Sequence, residues 1–461
     1  MSDCVKYNRD FFSHVSRGII APLWAAKESS PYLRHLKKLV DAPYRDLKAV
    51  LAEQDSRLTR LIAHAYDNTK YYKEMMDEAG VRPQDVTTVA DLSKLPVLTK
   101  DAIRNQGDNM ISGIHDRSKL RNKTTSGSTG VSLSLYIDED SQQWKRACAV
   151  RHDMWCGWRQ GEAIGAIWGN PTYKDNWRLW LRNALLGRMV YLDTLKMDHA
   201  AMLEFHEALL KKRPTQLFGH AHSLYLFAKF VKQNGLQCYQ PKGIISTAMV
   251  LHDFERSLVE EAFKAKVFNR YGCEEVSLIA SECEAHEGLH INMDTIILEC
   301  VDPNGIPVAP GEVGAVVVTD LSNYGMPIIR YKVGDAARIR SEPCSCGRSY
   351  PLIESLEGRI ADYVRTPDGE YISGISLTEN FAMQAKGVKQ LQIIQEAIDF
   401  IVLRVVKGSD WTSDSVDNLN RLVNQRFGEQ MRHEIEYVDS IQSESSGKYR
   451  FCISKLEDQP F

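Results

Sequence analysis

The chain has 461 residues, with 57 Lys and Arg against 60 Asp and Glu and a formal net charge of −3. That balance excludes the strong basic excess usual in nucleic-acid binders, and 43% hydrophobic with 25% charged residues excludes a disordered chain. No apolar run approaches the roughly 18 residues of a spanning helix, so neither nucleic acid nor membrane is an expected partner.

At about 100–200 residues per domain the length predicts two to four structural units. Near the N-terminus, residues 18–26 are apolar but short and interrupted by Pro22, and Asp3 and Asp10 precede them. They read as a packed segment rather than a secretory signal. Ten cysteines are too sparse for a disulfide scaffold, so mostly reduced thiols and a cytoplasmic location are expected. Residues 1–95 read as mostly helical, with Leu58, Leu61, Ile62, Ala65 and Tyr66 at helical spacing. Thr99 is expected to cap the next short helix.

From 120 to 335 short apolar runs alternate with amphipathic helices, the pattern of an α/β protein. Gly243-Ile244-Ile245-Ser246-Thr247 reads as a strand. Phe254, Leu258, Val259, Ala262 and Phe263 make a helix face, and 267–272 a second strand. The spacing predicts a parallel, right-handed crossover, with ligand-binding loops at Ser246-Thr247 and Tyr271-Gly272. Residues 391–438 read as a small α+β unit. Its strands are expected at 391–395, 400–406 and 435–438. Val416, Leu419, Leu422, Val423 and Phe427 form a helix face closed by Gly428. The expected division is a large α/β domain over 1–357 with parallel-rich sheets, its first 95 residues helical, a hinge at 358–365, and a small mobile α+β domain over 366–461.

Five segments carry chemistry. Thr124-Thr125-Ser126-Gly127-Ser128-Thr129-Gly130 combines backbone N–H groups and hydroxyls suited to phosphate, though no Lys-Ser/Thr follows as in a Walker loop. Asn269-Arg270-Tyr271-Gly272-Cys273-Glu274-Glu275 offers an aromatic for a base and a carboxylate for Mg²⁺. A buried strand from Pro327 delivers Asp335 at its end, where a carboxylate can accept from ribose hydroxyls. Gly358-Arg359-Ile360-Ala361-Asp362 and Ser445-Ser446-Gly447-Lys448-Tyr449-Arg450 supply a cation at a boundary and a lysine on a terminal loop. Taken singly, each reads more readily as a turn, a loop or a solvated face.

Together and in this order the five segments resemble the adenylate-forming acyl-CoA synthetase superfamily, within it the phenylacetate–CoA ligase-like family. Leu95-Pro96-Val97-Leu98-Thr99-Lys100, Gly288-Leu289-His290-Ile291, Thr319-Asp320-Leu321 and Cys344-Ser345-Cys346-Gly347-Arg348 add to the likeness. The resemblance implies ATP, Mg²⁺ and CoA as cofactors and a small carboxylic acid as substrate, activated to an acyl-adenylate. Thr124, Thr125, Ser126, Gly127, Ser128, Thr129 and Gly130 would hold the phosphates. Tyr271, flanked by Asn269 and Gly272, would stack on adenine. Glu275 would face Mg²⁺, Asp335 and Arg359 would bind ribose, and Lys448 would serve adenylation before the small domain rotates. The loop lacks a Lys after its last glycine, and Glu274 beside Glu275 leaves the Mg²⁺ role shared. CoA is the expected acceptor, an amine or carrier protein the alternative, and pairing as a homodimer is left open.

The acyl pocket is expected from Trp168, Gly219, His220, Ser223, Thr247 and Ala248, a lining suited to an aryl or arylacetic acid. His220 and His222 read either as pocket residues or as structural ones. Trp155, Trp158, Trp168, Trp177 and Trp180 crowd one region, and most read as core. Cys344 and Cys346 read as two zinc ligands, with Cys283 and His290 the best partners and His286 the next histidine. Free thiols are the alternative.

Overall fold

The computed structural model describes residues 4–125, 133–169, 176–194, 197–249, 251, 253–356, 363–373, 377, 381, 384–441 and 451–456. They divide into two compact units, Met1–Lys123 with Leu135–Gly358, and Thr124–Ser134 with Arg359–Phe461.

The first unit opens with a short strand β1 (Val5–Lys6). Helices α1 (Phe11–Val15) and α2 (Ala21–Lys27) follow, joined by a π-helical turn. Next come α3 (Tyr32–Asp41), α4 (Leu47–Asn68) and α5 (Lys70–Glu78). Asp10, Asp46 and Thr69 start α1, α4 and α5 by accepting from otherwise unpaired backbone N–H groups. α4 buries Leu58, Leu61, Ile62 and Ala65, the stripe its spacing predicts. Thr99 caps α6 (Lys100–Gln106), accepting from the Ala102 N–H at 3.1 Å. Strands β2 (Arg121–Thr125) and β3 (Leu133–Ile137) form a two-stranded sheet.

Strand and helix then alternate through α7 (Glu139–Trp155), β4 (Ile164–Trp168), α8 (Trp177–Arg182), β5 (Met189–Asp193), α9 (His199–Lys212), β6 (Gln216–His220) and α10 (Ala221–Gln233). β7 (Tyr239–Gln240), β8 (Gly243–Thr247), α11 (Asp253–Phe263) and β9 (Val267–Cys273) continue the run. Strands β5, β4, β6, β8 and β9 are parallel neighbours. Ile167, Leu217, Phe227, Ile244, Val259, Phe263 and Val267 form one buried cluster between these strands and their helices.

Beyond β9 the alternation stops. β10 (Ser277–Glu282), β11 (Leu289–Ile291), β12 (Ile296–Val301), β13 (Val313–Asp320), β14 (Tyr331–Ile339) and β15 (Leu352–Leu356) extend the same sheet by antiparallel pairing. Their connections are too short for crossover helices. The result is a mixed eleven-stranded sheet in the order β12-β13-β14-β15-β11-β10-β9-β8-β6-β4-β5.

The expected strand–helix–strand unit is β8-α11-β9, with Ile244 opposite Val267. Its helix face differs in one respect. Phe254 is exposed and Glu255 is buried, because the Glu255 carboxylate pairs with His222 Nδ1 at 3.0 Å. Trp177 and Trp180 are exposed, not core. Eight cysteines are free thiols, while Cys4 and Cys238 form a disulfide where β1 pairs with β7, a bond composition does not foresee.

In the second unit β16 (Tyr363–Arg365) pairs with β17 (Tyr371–Ser373). β18 (Val388–Ala397), β19 (Phe400–Lys407), β20 (Arg432–Tyr437) and β21 (Cys452–Ser454) form a sheet in the order β20-β19-β18-β21. Helix α12 (Ser413–Phe427) lays Leu419, Leu422, Val423 and Phe427 on Ile393 and Leu403 and ends at Gly428, as its spacing predicts. The third strand starts at Arg432 rather than 435 and runs parallel to β19. The α/β class and the separate α+β C-terminal unit thus hold.

Candidate active site

The parallel half of the sheet aligns its carboxyl ends by register. Ile167 lies opposite Gly219, Gly219 opposite Ser246, His220 opposite Thr247, and Thr247 opposite Arg270. Trp168, His220, Thr247 and Tyr271 therefore share one edge, where open α/β sheets bind ligands. Gly272 belongs to the same edge. A Cβ there would lie 2.5 Å from the Ser277 carbonyl, so a side chain would force β9 and β10 apart.

Tyr271 and Asp335, 64 positions apart, meet: the Tyr271 hydroxyl donates to the Asp335 carboxylate at 2.8 Å. Asp335 is not at a strand end as expected. It is the fifth residue of β14, where the register shifts between Ala315 and Val317 and Gly334 adopts φ +99°. A bulge there re-aims the side chain, which a regular ladder would not. Asn269 contributes its backbone N–H to Glu282 at 2.7 Å, next to Tyr271.

Glu275 is buried while Glu274 is exposed, so the environment separates two acids that the sequence leaves equivalent. The Tyr331 hydroxyl donates to Glu275 Oε1 at 2.8 Å, and Lys100 Nζ lies 3.4 Å from the same oxygen. Burial opposes ionisation of Glu275. The Lys100 ammonium and the Tyr331 hydroxyl outweigh it and hold the carboxyl below its ordinary range. Neither Lys100 nor Tyr331 has a role that the sequence alone assigns. The two meet only because Leu98 bridges to Tyr331 and so carries α6 beside β14, a contact the sequence does not show.

Another missed feature is Lys145 on α7, buried against Asp320 at the end of β13 with 2.7 Å between charged atoms. Asp320 also accepts from the Ser322 N–H and hydroxyl at 2.9 and 2.6 Å. Lys123 is half-buried, and desolvation lowers its pKa despite Glu274 nearby.

Among the expected acyl-pocket residues, the Trp168 ring lies 4.0 Å from that of His220 and 5.2 Å from that of Phe218. Burial holds His220 neutral, with its pKa lowered to about 4. Thr247 donates its hydroxyl to the Arg270 carbonyl at 3.1 Å. Ala248 is exposed with φ +67°, a left-handed conformation that L-residues adopt at a cost. Ser223 is partly buried in the first turn of α10. His222 is structural, through its bond to Glu255.

Thr124 and Thr125 end β2. Ser126, Gly127, Ser128, Thr129, Gly130, Arg359 and Lys448 lie outside the described residues, as do positions 358–362 of the expected hinge.

Cys283, His290, Cys344 and Cys346 converge, with one ligand atom from each within 4.8 Å of all the others. Cys283 and Cys344 sulfurs are 3.6 Å apart, and His290 Nε2 is 3.2 Å from Cys346 Sγ. The sulfur spacing matches the edge of a tetrahedron with about 2.3 Å metal–sulfur bonds, roughly 3.8 Å. His290 Nδ1 is bonded to the Tyr350 carbonyl at 2.8 Å, which turns Nε2 toward the sulfurs. Backbone N–H groups of Ala285 and Arg348 point at Cys283 and Cys346. The donor set therefore fits a structural zinc. His286 is outside it and pairs with Glu282 at 3.3 Å.

Comparisons with known proteins extend this geometry. Residues 364–455 match the model of the CapK C-terminal domain. The chain is 24% identical over 433 residues to protein CapK of Staphylococcus aureus, covering 92% of this chain and 93% of CapK. It is 27% identical over 337 residues to a phenylacetate–coenzyme A ligase of Thermus thermophilus, covering 70% of this chain and 73% of the ligase. Among solved structures, 2-hydroxyisobutyryl-CoA ligase in complex with 2-HIB-AMP and CoA superposes with a TM-score of 0.64 at 21% identity, covering 90% of this chain and 92% of that one. In its postadenylation state the score is 0.58 at 22% identity, over 89% and 90%. At such identities these structures speak for the fold. The chain is therefore similar over most of its length to the phenylacetate–coenzyme A ligases and to CapK, and it shares the fold of 2-hydroxyisobutyryl-CoA ligase.

Proposed function

We propose that the chain joins a carboxylic acid of aryl or arylacetic type to AMP at the expense of ATP, then passes the acyl group to CoA. In the first step a carboxylate oxygen attacks the α-phosphorus and the bond to the β-phosphate bridge breaks, releasing pyrophosphate. In the second the CoA thiol, losing its proton, attacks the acyl carbon and AMP leaves. A free carboxylate would have to expel oxide, and the adenylate replaces that with a good leaving group.

The observation that carries this reading is the meeting of Tyr271 with Asp335 at 2.8 Å, beside a buried Glu275 held ionised by Lys100 and Tyr331. In this reading Tyr271 stacks on the base, and Asp335 accepts from the ribose with help from Arg359. Thr124 to Gly130 donates to the phosphates. Glu275, rather than exposed Glu274, is the protein ligand for Mg²⁺, which when bound neutralises phosphoryl charge. Lys448 adds positive charge in the first step only, and 358–365 is the hinge that withdraws it. Trp168, Phe218 and neutral His220 offer flat, weakly polar walls, which favours an aromatic acid. We read the Cys283, His290, Cys344 and Cys346 set as one structural zinc site. The names of the phenylacetate– and 2-hydroxyisobutyryl-CoA ligases support CoA as acceptor.

Acid-dependent exchange of pyrophosphate into ATP, run over a panel of acids, tests the reading. Aromatic acids should drive exchange best, and AMP release should then require CoA and not an amine. No exchange with any acid would overturn it.

A further inference from the structure

Two segments distant in sequence build one unusual surface. Residues 11–27, spanning α1 and α2, bury their small side chains Ser13, Ser16, Ala21 and Ala25 and turn large apolar ones outward. Phe11 is 82% exposed, Ile19 57% and Leu23 67%. This inverts the usual amphipathic helix, whose large apolar residues face the core. On α8, Trp177 is 70% exposed and Trp180 57%. The segments touch: the Ser16 hydroxyl donates to the Leu185 carbonyl at 2.6 Å, and the Arg188 guanidinium lies 5.2 Å over the Phe12 ring.

The two segments themselves carry cations and no acid. Residues 11–27 and 176–188 contain Arg17, Lys27, Arg178, Arg182 and Arg188 and no Asp or Glu, in a chain whose net charge is −3. Among the described residues, the flanking acids Asp10 and Glu28 are already engaged, and Asp175 lies outside the described residues. Asp10 accepts from Arg188 at 2.8 Å, and Glu28 accepts from Trp24 Nε1 at 2.7 Å with Arg182 4.0 Å away.

We propose that this surface docks the chain on an anionic lipid bilayer. Exposed tryptophans with an apolar body and a polar N–H suit the headgroup boundary, and arginines and lysines around them complement anionic lipid. Self-association fits less well. A two-fold contact sets a patch against its own copy, so cations would meet cations. Among the described residues no helix is long and apolar enough to cross a membrane, so the attachment is peripheral. The expectation of no membrane partner rested on the lack of a spanning run and does not reach such a surface.

The test is co-sedimentation of the full chain with vesicles of phosphatidylcholine, with and without phosphatidylglycerol, at low and high salt. The chain should bind only the anionic vesicles, and salt should weaken binding. R178Q/R182Q should bind about 25-fold more weakly, at about fivefold per cation. W177S/W180S should lose about tenfold or more even at low salt. Trp177, Trp180 and Arg178 are exposed and Arg182 is half-buried near Glu28, so melting by circular dichroism is run beside each variant and should match the parent. Should the tryptophan pair misfold, the arginine pair and the salt series still decide. Equal binding to neutral and anionic vesicles, or unchanged binding by R178Q/R182Q, overturns the proposal. So does a parent that ignores vesicles but sediments as a dimer which W177S/W180S dissociates.

Discussion

Tyr331→Phe removes one oxygen from a fully buried ring and with it the hydrogen bond to Glu275 at 2.8 Å. A hydrogen bond to a charged acceptor contributes about 1.5–3 kcal/mol. Lys100, 3.4 Å from the same carboxylate oxygen, remains to offset part of the loss, so the lower end applies. If Glu275 acts on ATP and metal as proposed, loosening it should slow acid-dependent ATP–pyrophosphate exchange about tenfold. Glu275→Gln, which removes the charge itself, should slow exchange about 100-fold or more. Raising the magnesium concentration should restore part of the Tyr331→Phe rate and little of the Glu275→Gln rate. Melting followed by circular dichroism separates fold from function. A Tyr331→Phe protein that melts several degrees lower but exchanges at the parent rate would refute the reasoning, because the bond would then serve packing alone.

Purified protein should carry one zinc per chain, and strong chelation should lower its melting temperature, as should Cys344→Ser; clearly substoichiometric zinc with no chelator effect would remove the metal site. Lys448→Ala should abolish adenylate formation yet spare thioester formation from a supplied acyl-adenylate, and an equal fall in both half-reactions would remove the role given to Lys448. The folded Glu275 carboxyl titrates below its ordinary value, so its stabilising effect is present above the ordinary glutamate range and is lost as pH falls through the folded value. The melting difference between parent and Glu275→Gln should therefore stay level from neutral pH down to that range and close below it; a gap that widens on acidification would contradict the sign.

Much of the fold was readable because local pattern and final environment agree. The β8-α11-β9 unit and α12 with its flanking strands each switch between period 2 and period 3.6 within short stretches. Thr99 marks its helix start by chemistry alone. The four Cys and His residues could be picked as a set because few other side chains suit zinc. What escaped depends on partners far away in the chain. Glu255 is buried only because His222 arrives beside it, and Phe254 is displaced outward in consequence. The bulge at Gly334 moves Asp335 from a strand end to mid-strand, which no hydropathy pattern records. Lys100 gains meaning only when α6 is carried beside β14. Five tryptophans looked alike in sequence, yet Trp158 is buried and Trp177 and Trp180 face outward.

The central claim is that Tyr271, Asp335 and Glu275 serve one bound nucleotide whose α-phosphorus a carboxylate attacks. Isotope-traced exchange of pyrophosphate into ATP measures that step alone, before any acceptor is involved. The account predicts exchange that needs both a carboxylic acid and magnesium, and that Asp335→Ala and Glu275→Gln each suppress. Exchange absent with every acid tried, or undiminished in both variants, would contradict it.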